Sequence, residues 1–432
     1  MDIASAVRDP RYLRLLILTA LTGIPISLAA LAFEVAFETG IQVIWYDLPT
    51  AMGMDEPPWW VLLCVPTVGG FLVALARRLP GDGGHNPLLG FAGGVLGPKA
   101  LASVVLAGLV TLSCGAVLGH EAPLMAIGTG VALFIGAKSA ASDSSIAAMF
   151  AVAGGAAAVS ALFGNPLVAA VLIMEGMNLG TTDRRPLVLP ALLSAGVGYL
   201  VFTGVGNLSG FTSPNLAVPT NPPGQGITWY DLGWTFVMAP LAALLIMAIR
   251  AAATRLDAMQ TKARLIWFIP LAGLVVGAAA LGYSVVTGDD PRNVLFSGQS
   301  QVGPLADTGY ETATLALLAL LVFKGVAYVA SLAGGFRGGP VFPSIFFGAL
   351  VGTAFGTVLP GVSPLAAFYV SMAAATATNL RIPVGSILLV ALVGGVASLQ
   401  LLPLIIIAAV VGIVIRAWFD GGVRDTSPAP AL

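Results

Sequence analysis

An acidic residue stands at a glycine- and proline-broken point inside an apolar part of the sequence. Glu121 lies in the stretch LGHEAPLMAIGTGVALFIG, residues 118–136, between Gly119 and Pro123. His120 is the only residue nearby in sequence that offers a charge to neutralise it. A carboxylate in apolar surroundings costs free energy unless it is paired or carries a function. The residue types and their spacing therefore predict a functional site at this break.

Two other glycine- and proline-containing breaks resemble this one, GDGGHNP at 81–87 and GGPVFP at 338–343. Each ends in a proline followed by an apolar run, which predicts a helix start, since proline suits a first helical turn. A helix start presents unpaired N–H groups and the positive end of its dipole, and both favour an anion. Glycine lets the backbone approach a ligand closely. Three converging helix starts predict an anion cage that needs no full positive charge, and a permeation site must bind weakly enough to release.

The composition sets the surroundings of these breaks. Of 432 residues, 57% are hydrophobic and 9% are charged, whereas a soluble domain has about 25% charged residues. The mean hydropathy is +0.95. Backbone groups in lipid must be satisfied internally, and the long leucine, alanine and glycine runs favour helices over a barrel with alternating strands. The sequence therefore predicts an all-α membrane protein with several spans.

Several other classes of protein are disfavoured. A net charge of −1 gives no electrostatic case for nucleic acid. Two histidines and scattered acids supply neither a metal cluster nor the nucleophile–base pair of an enzyme, so no metal or cofactor is expected. Cys64 and Cys114 lie in apolar runs, where small core residues are expected. The first apolar run exceeds the roughly 7–15 residues of a signal-peptide core, so it is predicted to be a membrane helix.

The apolar segments are uneven in length. Some exceed one span and are interrupted, and others are shorter than the roughly 20 residues of a perpendicular span, so tilted and broken helices are predicted. Basic residues at the segment ends predict cytoplasmic termini, and the loop 206–227 is predicted to be external. The apolar segments are 14–37, 59–76, 98–118, 123–137, 145–178, 187–205, 228–252, 265–287, 311–333, 342–360, 364–379 and 384–418. The basic residues are Arg8, Arg11, Arg14, Arg77, Arg78, Arg184, Arg185, Arg250, Arg255, Lys262, Arg264, Arg416 and Arg424.

The chain contains an internal repeat with an offset near 220 residues. The stretch GHEAPLMAIGTGVALFIG, residues 119–136, matches GPVFPSIFFGALVGTAFG, residues 339–356, in one proline and several glycines. Further on, FAVAGGAAAVSALFGNP at 150–166 matches FYVSMAAATATNLRIP at 368–383 with one residue fewer. Broken helices at matching positions of two repeats indicate a transporter whose site lies where the breaks meet.

Glu121 fits an anion site as a tethered competitor for the anion. Its protonation or outward swing would then open the path, and the alternative is an acid that only caps its own helix. Glu34 and Glu175 are also intramembrane acids, but Glu34 lies near the end of the first predicted span, which favours a structural role. His85 and His120 both fall inside breaks, where a loop hydrogen bond is favoured over pH sensing.

At these residues the chain resembles the CLC family of chloride channels and chloride/proton exchangers. GHEAP is similar to that family's GxEGP signature with Ala122 in place of glycine, and GGPVFPSIFFGALVGTAFG is similar to its second-repeat anion motif. FGNPLVAAVLIMEGMN is similar to the family segment that carries acids after a turn proline. The resemblance covers about residues 12–415. It implies a gating role for Glu121, one pore per subunit and a homodimer.

The resemblance also implies a set of anion-binding residues. Backbone donors are expected around Glu121 and around Val341, and a third group is expected in the first break. The residues are Gly84, His85, Asn86, Gly119, His120, Ala122, Gly339, Val341 and Phe342.

The sequence departs from the family pattern at several places. Gly84 stands where the family usually has a pore serine, and Asn86 or His85 is a candidate replacement donor. Pro340 removes one N–H, which the family often uses, from the second motif. The family's C-terminal pore tyrosine has no counterpart, because the last tyrosine is Tyr369.

A further departure concerns proton coupling. Exchangers in the family commonly carry acids nine and ten residues after the turn proline, and the second takes up the internal proton. Here the corresponding residues after Pro166 are Glu175 and Gly176. Glycine carries no proton, so anion conduction without tight proton coupling is expected. The alternative is that Glu175 serves as the relay.

The sequence as a whole predicts a CLC-type inverted-repeat bundle of tilted and broken transmembrane helices. The first repeat is predicted at 12–207, the second at 208–418, and a short cytoplasmic tail at 419–432, with no cytosolic regulatory domain. The predicted function is chloride transport in a bacterial-type inner membrane, with the lipid bilayer and a second copy as partners. The alternatives are a proton-coupled chloride antiporter and a fluoride exporter, whose members also lack the usual serine and tyrosine. A membrane-embedded enzyme and a structural scaffold are disfavoured.

Overall fold

The computed structural model describes residues 8–91, 96–137, 143–177, 185–209, 226–259, 264–307 and 309–420. Within these ranges the chain is helical, and its only β-type pairing is an isolated bridge. The α-helices are α1 Pro10–Gln42 (continued by a π-helical turn Val43–Asp47 and a helical turn Leu48–Ala51), α2 Trp59–Ala76, α3 Leu101–Ser113, α4 Glu121–Ile135, α5 Ser144–Phe163, α6 Pro166–Gly176, α7 Val188–Ser209, α8 Trp229–Asp257, α9 Leu265–Thr287, α10 Val302–Asp307, α11 Thr314–Gly334, α12 Val341–Val358, α13 Pro364–Leu380, α14 Pro383–Gln400 and α15 Leu402–Asp420. The 3₁₀ turns are Pro87–Leu89, Pro98–Ala100, Arg185–Leu187, Pro291–Asn293, Gln299–Gln301 and Gly309–Glu311.

The helices are of two kinds by length. Nine helical stretches in the described part of the chain are long and apolar enough to cross a membrane. Others, such as α4 and α6, are shorter than the roughly 20 residues that a perpendicular span needs. This mixture confirms the predicted all-α membrane fold of broken helices.

The breaks in the long apolar segments have local causes. The segment 145–178 divides at Gly164, which ends α5 with a φ of +63°, and Asn165 then caps α6 through Leu167 and Val168. A left-handed C-terminal glycine followed by an N-cap and proline is the expected way to stop one helix and start another. The segment 384–418 divides after α14, which is itself kinked at Gly395, where φ is +52°.

The internal repeat has a counterpart in three dimensions. The Thr111 hydroxyl accepts a hydrogen bond from the Arg337 N–H at 3.3 Å, and the Ser331 hydroxyl accepts one from the Val117 N–H at 3.0 Å. Thr111 and Ser331 are equivalent positions of the repeat, as are Val117 and Arg337. Each half therefore holds the other through the same contact, which is the pattern of a local two-fold axis. The repeat boundaries at 207 and 208 stay a prediction.

Helix packing follows the same repeat. A Cβ on Gly128 of α4 would collide with the Gly154 carbonyl oxygen of α5, and a Cβ on Gly348 of α12 would lie 2.7 Å from the Ser371 carbonyl oxygen of α13. Both helix pairs approach too closely for a larger residue. The matching glycines of the sequence are thus packing positions that hold α4 and α12 each against the next helix of its own repeat.

The expected helix after the first break was wrong, and other expectations fall outside the described residues. An apolar helix was expected after Pro87, but the described residues there form only the 3₁₀ turn Pro87–Leu89, closed by Gly90 with a φ of +99°. Most of the loop 206–227, the tail beyond 420, and the basic residues Arg184, Lys262 and Arg424 lie outside the described ranges.

Candidate functional site

The two equivalent breaks meet at a short antiparallel bridge. The Gly119 N–H donates to the Gly339 carbonyl at 2.8 Å, and the Gly339 N–H donates back to the Gly119 carbonyl at 2.7 Å. Helix α4 begins two residues after Gly119, and α12 begins two residues after Gly339. The bridge therefore places two helix N-termini side by side in the interior of the protein.

Glu121 lies across this bridge from its own repeat equivalent. Its side chain is 1% exposed, and its Oε1 accepts a hydrogen bond from the Val341 N–H at 2.5 Å. The amides of Phe342 and of Glu121 itself also interact with the carboxylate. Glu121 Oε2 has no hydrogen-bond partner among the described residues. The carboxylate thus occupies the free amides at the start of α12, where an anion is favoured.

The glycines of the bridge leave the space that this carboxylate fills. A Cβ on Gly339 would overlap the Glu121 side chain, and a Cβ on Gly119 would overlap its carboxylate oxygens. The predicted anion-site residues Gly119, Gly339 and Val341 therefore come together around Glu121, as does Phe342. Ala122 is buried in the first turn of α4. Their binding of an anion stays a prediction.

His120 lies beside the same site, between two aromatic rings. Its ring centroid is 5.0 Å from that of Phe37 and 5.0 Å from that of Phe342, both in edge-to-face geometry. Its Nδ1 is 4.0 Å from Glu34 Oε1, and Gln299 also approaches the ring. The residue is a buried member of the site and does not project into a solvated loop.

Glu34 lies further from the end of its helix than the sequence predicted. It lies within α1, which continues to Gln42, and its exposed fraction is 0%. The first apolar run ends near residue 37 in the sequence, so Glu34 was expected close to the end of the helix. The missed signal is the helical turn that the apolar residues Ile41, Val43 and Ile44 add beyond it.

A cavity of about 260 Å³ opens on the side of His120 where α1 ends. Polar side chains and three aromatic rings line it, and His120 is one of the lining residues. The polar lining residues are Glu38, Gln42, Tyr46, His120, Ser297, Gln299 and Ser300. The cavity reaches His120, the residue before Glu121, whereas Glu121 itself does not line it.

The first break, residues 81–87, is not joined to Glu121 by any described contact. The Gly84 N–H donates to the Gly81 carbonyl, His85 Nε2 bonds to the Gly90 carbonyl, and Asn86 Oδ1 accepts from the Leu88 N–H. All three groups serve the fold of their own loop. Anion binding by Gly84, His85 and Asn86 therefore stays a prediction.

The charge of Arg337, which immediately precedes the break at 338–343, is engaged by an ion pair. It lies 2.7 Å from Asp82, which also pairs with Arg77 at 3.0 Å. Burial alone would raise the pKa of the Asp82 carboxyl, but hydrogen bonds and charge from Arg77 and Arg337 outweigh it and lower that pKa. The three residues fasten the first break to the end of α11.

A buried polar cluster lies on another side of the first turn of α12. Asn379 Nδ2 donates to Tyr328 Oη at 3.1 Å and to Ser344 Oγ at 2.7 Å. Its Oδ1 accepts from Arg250 at 2.8 Å, and Arg250 also donates to the Leu88 carbonyl at 2.6 Å. Tyr328 is within electrostatic reach of both Arg250 and Glu121. This cluster was not predicted from the sequence, because its members come from four helices that are far apart in the chain.

The second candidate acid, Glu175, caps a helix. Its two oxygens accept hydrogen bonds from the N–H groups of Val384 at 3.2 Å and Gly385 at 2.6 Å, in the first turn of α14. The neighbouring Gly176 packs against Phe91, and a Cβ on it would lie 2.5 Å from that ring.

No group of three or more metal-ligating side chains occurs in the described part of the chain.

Comparison with known proteins gives relatives of one kind. A profile of the family described as "Voltage gated chloride channel" matches residues 88–417. A protein named "Putative ion-transport protein YfeO" from Escherichia coli strain E24377A is 28% identical over 361 residues, which cover 81% of each chain. The protein of the same name from Shigella boydii serotype 4 is 29% identical over 329 residues, 74% of each chain.

Solved structures share the fold. A slow cyanobacterial Cl⁻/H⁺ antiporter superposes with a TM-score of 0.77 at 16% identity, over 94% of this chain and 95% of the other. A CLC-type fluoride/proton antiporter gives 0.71 at 17% identity, over 94% and 96%. A eukaryotic CLC transporter gives 0.69 at 16% identity, over 94% and 72%. The family profile spans most of the sequence and includes both α12 and Glu121, so this integral membrane protein belongs to the voltage-gated chloride channel family.

Proposed function

We propose that the protein transports chloride through a path that Glu121 closes. The observation that carries this proposal is the hydrogen bond from the Val341 N–H to the Glu121 carboxylate. A carboxylate at a helix N-terminus occupies the position that a free anion would take. When Glu121 is protonated or displaced, the amides of Val341 and Phe342 become available to chloride.

The buried cluster around Tyr328 continues this path. The Tyr328 oxygen accepts a hydrogen bond from Asn379, so its own O–H hydrogen remains as a donor for an anion. Arg250 supplies positive charge, and its described hydrogen bonds go to two neutral oxygens. A hydroxyl, an amide and a guanidinium together suit a small anion. Tyr328 thereby offers the hydroxyl that the missing C-terminal tyrosine would otherwise supply.

Two observations support transport without tight proton coupling. Glu175 is held by two amides at the start of α14, as a capping acid is. Gly176 is packed against Phe91, so an acid at that position would not fit without movement of the ring. We therefore assign Glu175 a structural role and not that of an internal proton relay.

The surroundings of the transporter form part of the same proposal. Basic residues at the start of α1 and at the ends of α2, α8 and α15 support a cytoplasmic position for both termini. The cavity beside His120 then faces the outside. We assign the protein to a bacterial-type inner membrane as a homodimer with one path per subunit.

Substitution of Glu121 tests the proposal. Liposomes with the purified protein are loaded with chloride, and efflux is recorded at a clamped voltage. Glu121→Gln removes the charge and keeps the size, so its chloride flux should differ from the wild type about tenfold or more. Glu175→Gln is the matched control and should keep the wild-type flux. Equal fluxes for Glu121→Gln and the wild type would contradict gating by this residue.

The fluoride alternative is tested in the same liposomes. Fluoride and chloride efflux are measured in parallel from the wild-type protein. Chloride flux above fluoride flux agrees with the proposal. Fluoride efflux without chloride efflux would replace chloride as the substrate.

A further inference from the structure

A buried acid and a buried base lie against each other next to Glu121. Glu34 has an exposed fraction of 0% and His120 of 4%, and Glu34 Oε1 is 4.0 Å from His120 Nδ1. They come from α1 and from the break before α4, so the fold, and not chain proximity, brings them together. Anion binding by the amides of α12 makes no use of either side chain.

The charges around this pair favour the uptake of a proton. Around His120, Glu34 lies on α1 and Glu38 lines the same cavity from α1. Glu121 follows His120 in the chain, and Gln299 approaches from the loop before α10. Lys324 binds the carbonyl of Leu295, next to the cavity-lining Phe296, and its Nζ is engaged there by the carbonyls of Asn293 and Leu295 and by Gln301 Oε1. Carboxylates that share a buried site repel one another, so a proton that neutralises one of them stabilises the group.

His120 also forms part of the wall of a cavity. It lines the cavity of about 260 Å³ together with Glu38 and Gln299. Its Nδ1 faces Glu34, and its Nε2 has no hydrogen-bond partner among the described residues. Among the described residues, one ring nitrogen therefore has no partner and can take a proton that reaches the cavity wall, while the other is held beside a carboxylate.

We propose that Glu34 and His120 form a proton-binding pair that passes a proton between the cavity and Glu121. His120 Nε2 takes a proton from a hydronium ion in the cavity, which becomes water, and Glu34 stabilises the resulting imidazolium. The imidazolium then gives its proton to the Glu121 carboxylate and returns to neutral imidazole. Neutral Glu121 no longer competes for the Val341 amide. This step rests on the proposed gating role of Glu121, and it involves one side of the membrane only.

The histidine content makes a direct test practical. The chain has two histidines, so protein with ¹³C-labelled histidine gives two ring signals, and a His85→Asn variant assigns them. The His120 signal should titrate with pH in the wild type. In Glu34→Gln its midpoint should fall by about 1–3 pH units, because a carboxylate within 4–6 Å favours the charged imidazole. Glu38→Gln, one helical turn further on, is the matched control and should shift the midpoint less.

Two results would refute the proposal that Glu34 and His120 bind a proton together. One is a His120 signal that is constant from about pH 4 to pH 9, and the other is an equal midpoint in the wild type and in Glu34→Gln. This titration needs no transport, so it tests proton binding by Glu34 and His120 even if the protein moves no chloride.

Flux provides the functional readout. Chloride efflux from the wild type should change with pH on the cavity side by up to about tenfold per pH unit across the titration. Glu34→Gln should shift this pH profile by the same amount as the His120 signal, and Glu38→Gln should shift it less. Absence of chloride flux in the wild type would refute the proposed function. Wild-type flux with an unchanged profile in Glu34→Gln would refute the proton transfer.

Discussion

The segments around Gly119 and Gly339 have the same backbone and different chemistry. Each supplies half of one bridge, each starts a helix two residues later, and each is anchored by a hydroxyl from the other half. The first segment then carries an acid, Glu121, where the second carries Val341. The repeat builds a symmetric frame, and the side chains make it a site in which one half provides the carboxylate and the other provides the amide that binds it.

The largest effect on chloride efflux should come from filling the space beside Gly339 that the Glu121 side chain occupies. In Gly339→Ala the new Cβ would overlap the Glu121 side chain, so the carboxylate has to leave the Val341 amide. Chloride efflux at clamped voltage should rise about tenfold, the equivalent of losing one charge-assisted hydrogen bond. Gly325→Ala in α11 is the control, because a Cβ there meets nothing within 4 Å.

A double variant checks the cause of that effect. If Gly339→Ala acts by displacing the carboxylate, it should add little to the flux of Glu121→Ala. A full additional tenfold change in the double variant would show that the glycine acts on something other than Glu121.

The next effect concerns the side of α12 that carries the polar cluster. Tyr328→Phe removes a hydroxyl and keeps the ring that stacks on Phe347. Chloride affinity, measured by calorimetry on the purified protein, should fall about 5- to 30-fold, as expected for a lost hydrogen bond of 1–2 kcal/mol. Tyr369→Phe is the matched control, since that tyrosine is as deeply buried and its hydroxyl has no hydrogen-bond partner among the described residues. Similar losses of chloride affinity in both variants would show that the Tyr328 hydroxyl does not bind the anion.

A smaller effect tests the symmetric frame itself. Ser331→Ala and Thr111→Val each leave one buried N–H of the opposite half without its acceptor. Each should lower the free energy of unfolding by about 1–3 kcal/mol, with the larger loss for Ser331→Ala, whose hydrogen bond is shorter. Thermal unfolding in detergent measures both. A loss in one variant only would show that the two contacts are not equivalent in strength.

The smallest effect should come from the ion pairs that fasten the first break. The pKa of Asp82 is lowered below its ordinary value of 3.8 in the folded protein, so its ionised form stabilises the fold above about pH 4, and this contribution is lost as pH falls through the lowered pKa. The side chain is 55% exposed, so Asp82→Asn should cost less than about 1 kcal/mol at neutral pH. The difference from the wild type should vanish in acid, and a difference that grows in acid would reverse the assigned sign.

The arrangement of the two broken helices was easier to predict from the sequence than the buried side-chain contacts around them. Prolines, glycines and the offset between repeats are local signals, so Glu121, Gly119, Gly339 and Val341 could be placed together from the sequence alone. Glu34 was misjudged because the length of its helix determines its depth. The cluster around Tyr328 and Asn379 was out of reach, because its hydrogen bonds join residues that are far apart in the chain. The interior of a membrane protein gives polar residues no periodic pattern that would reveal such partners.

The same limit applies to the first break. Its composition, GDGGHNP, predicted a helix start, but four successive residues from Gly81 to Gly84 have positive φ and turn the chain instead. Glycine permits both outcomes. The choice also depends on the contact with Arg337, which lies in another part of the chain, in addition to that with the nearby Arg77.

The most direct test of chloride transport without tight proton coupling is a paired recording from liposomes that hold the purified protein. External chloride and external pH are followed together after a potassium ionophore clamps the voltage, first in the wild type and then in Glu121→Gln. We predict chloride release without opposing proton movement in the wild type, and an altered chloride rate in the variant. Proton pumping against the chloride flow would contradict this account and would make Glu175 the first residue to test as a relay.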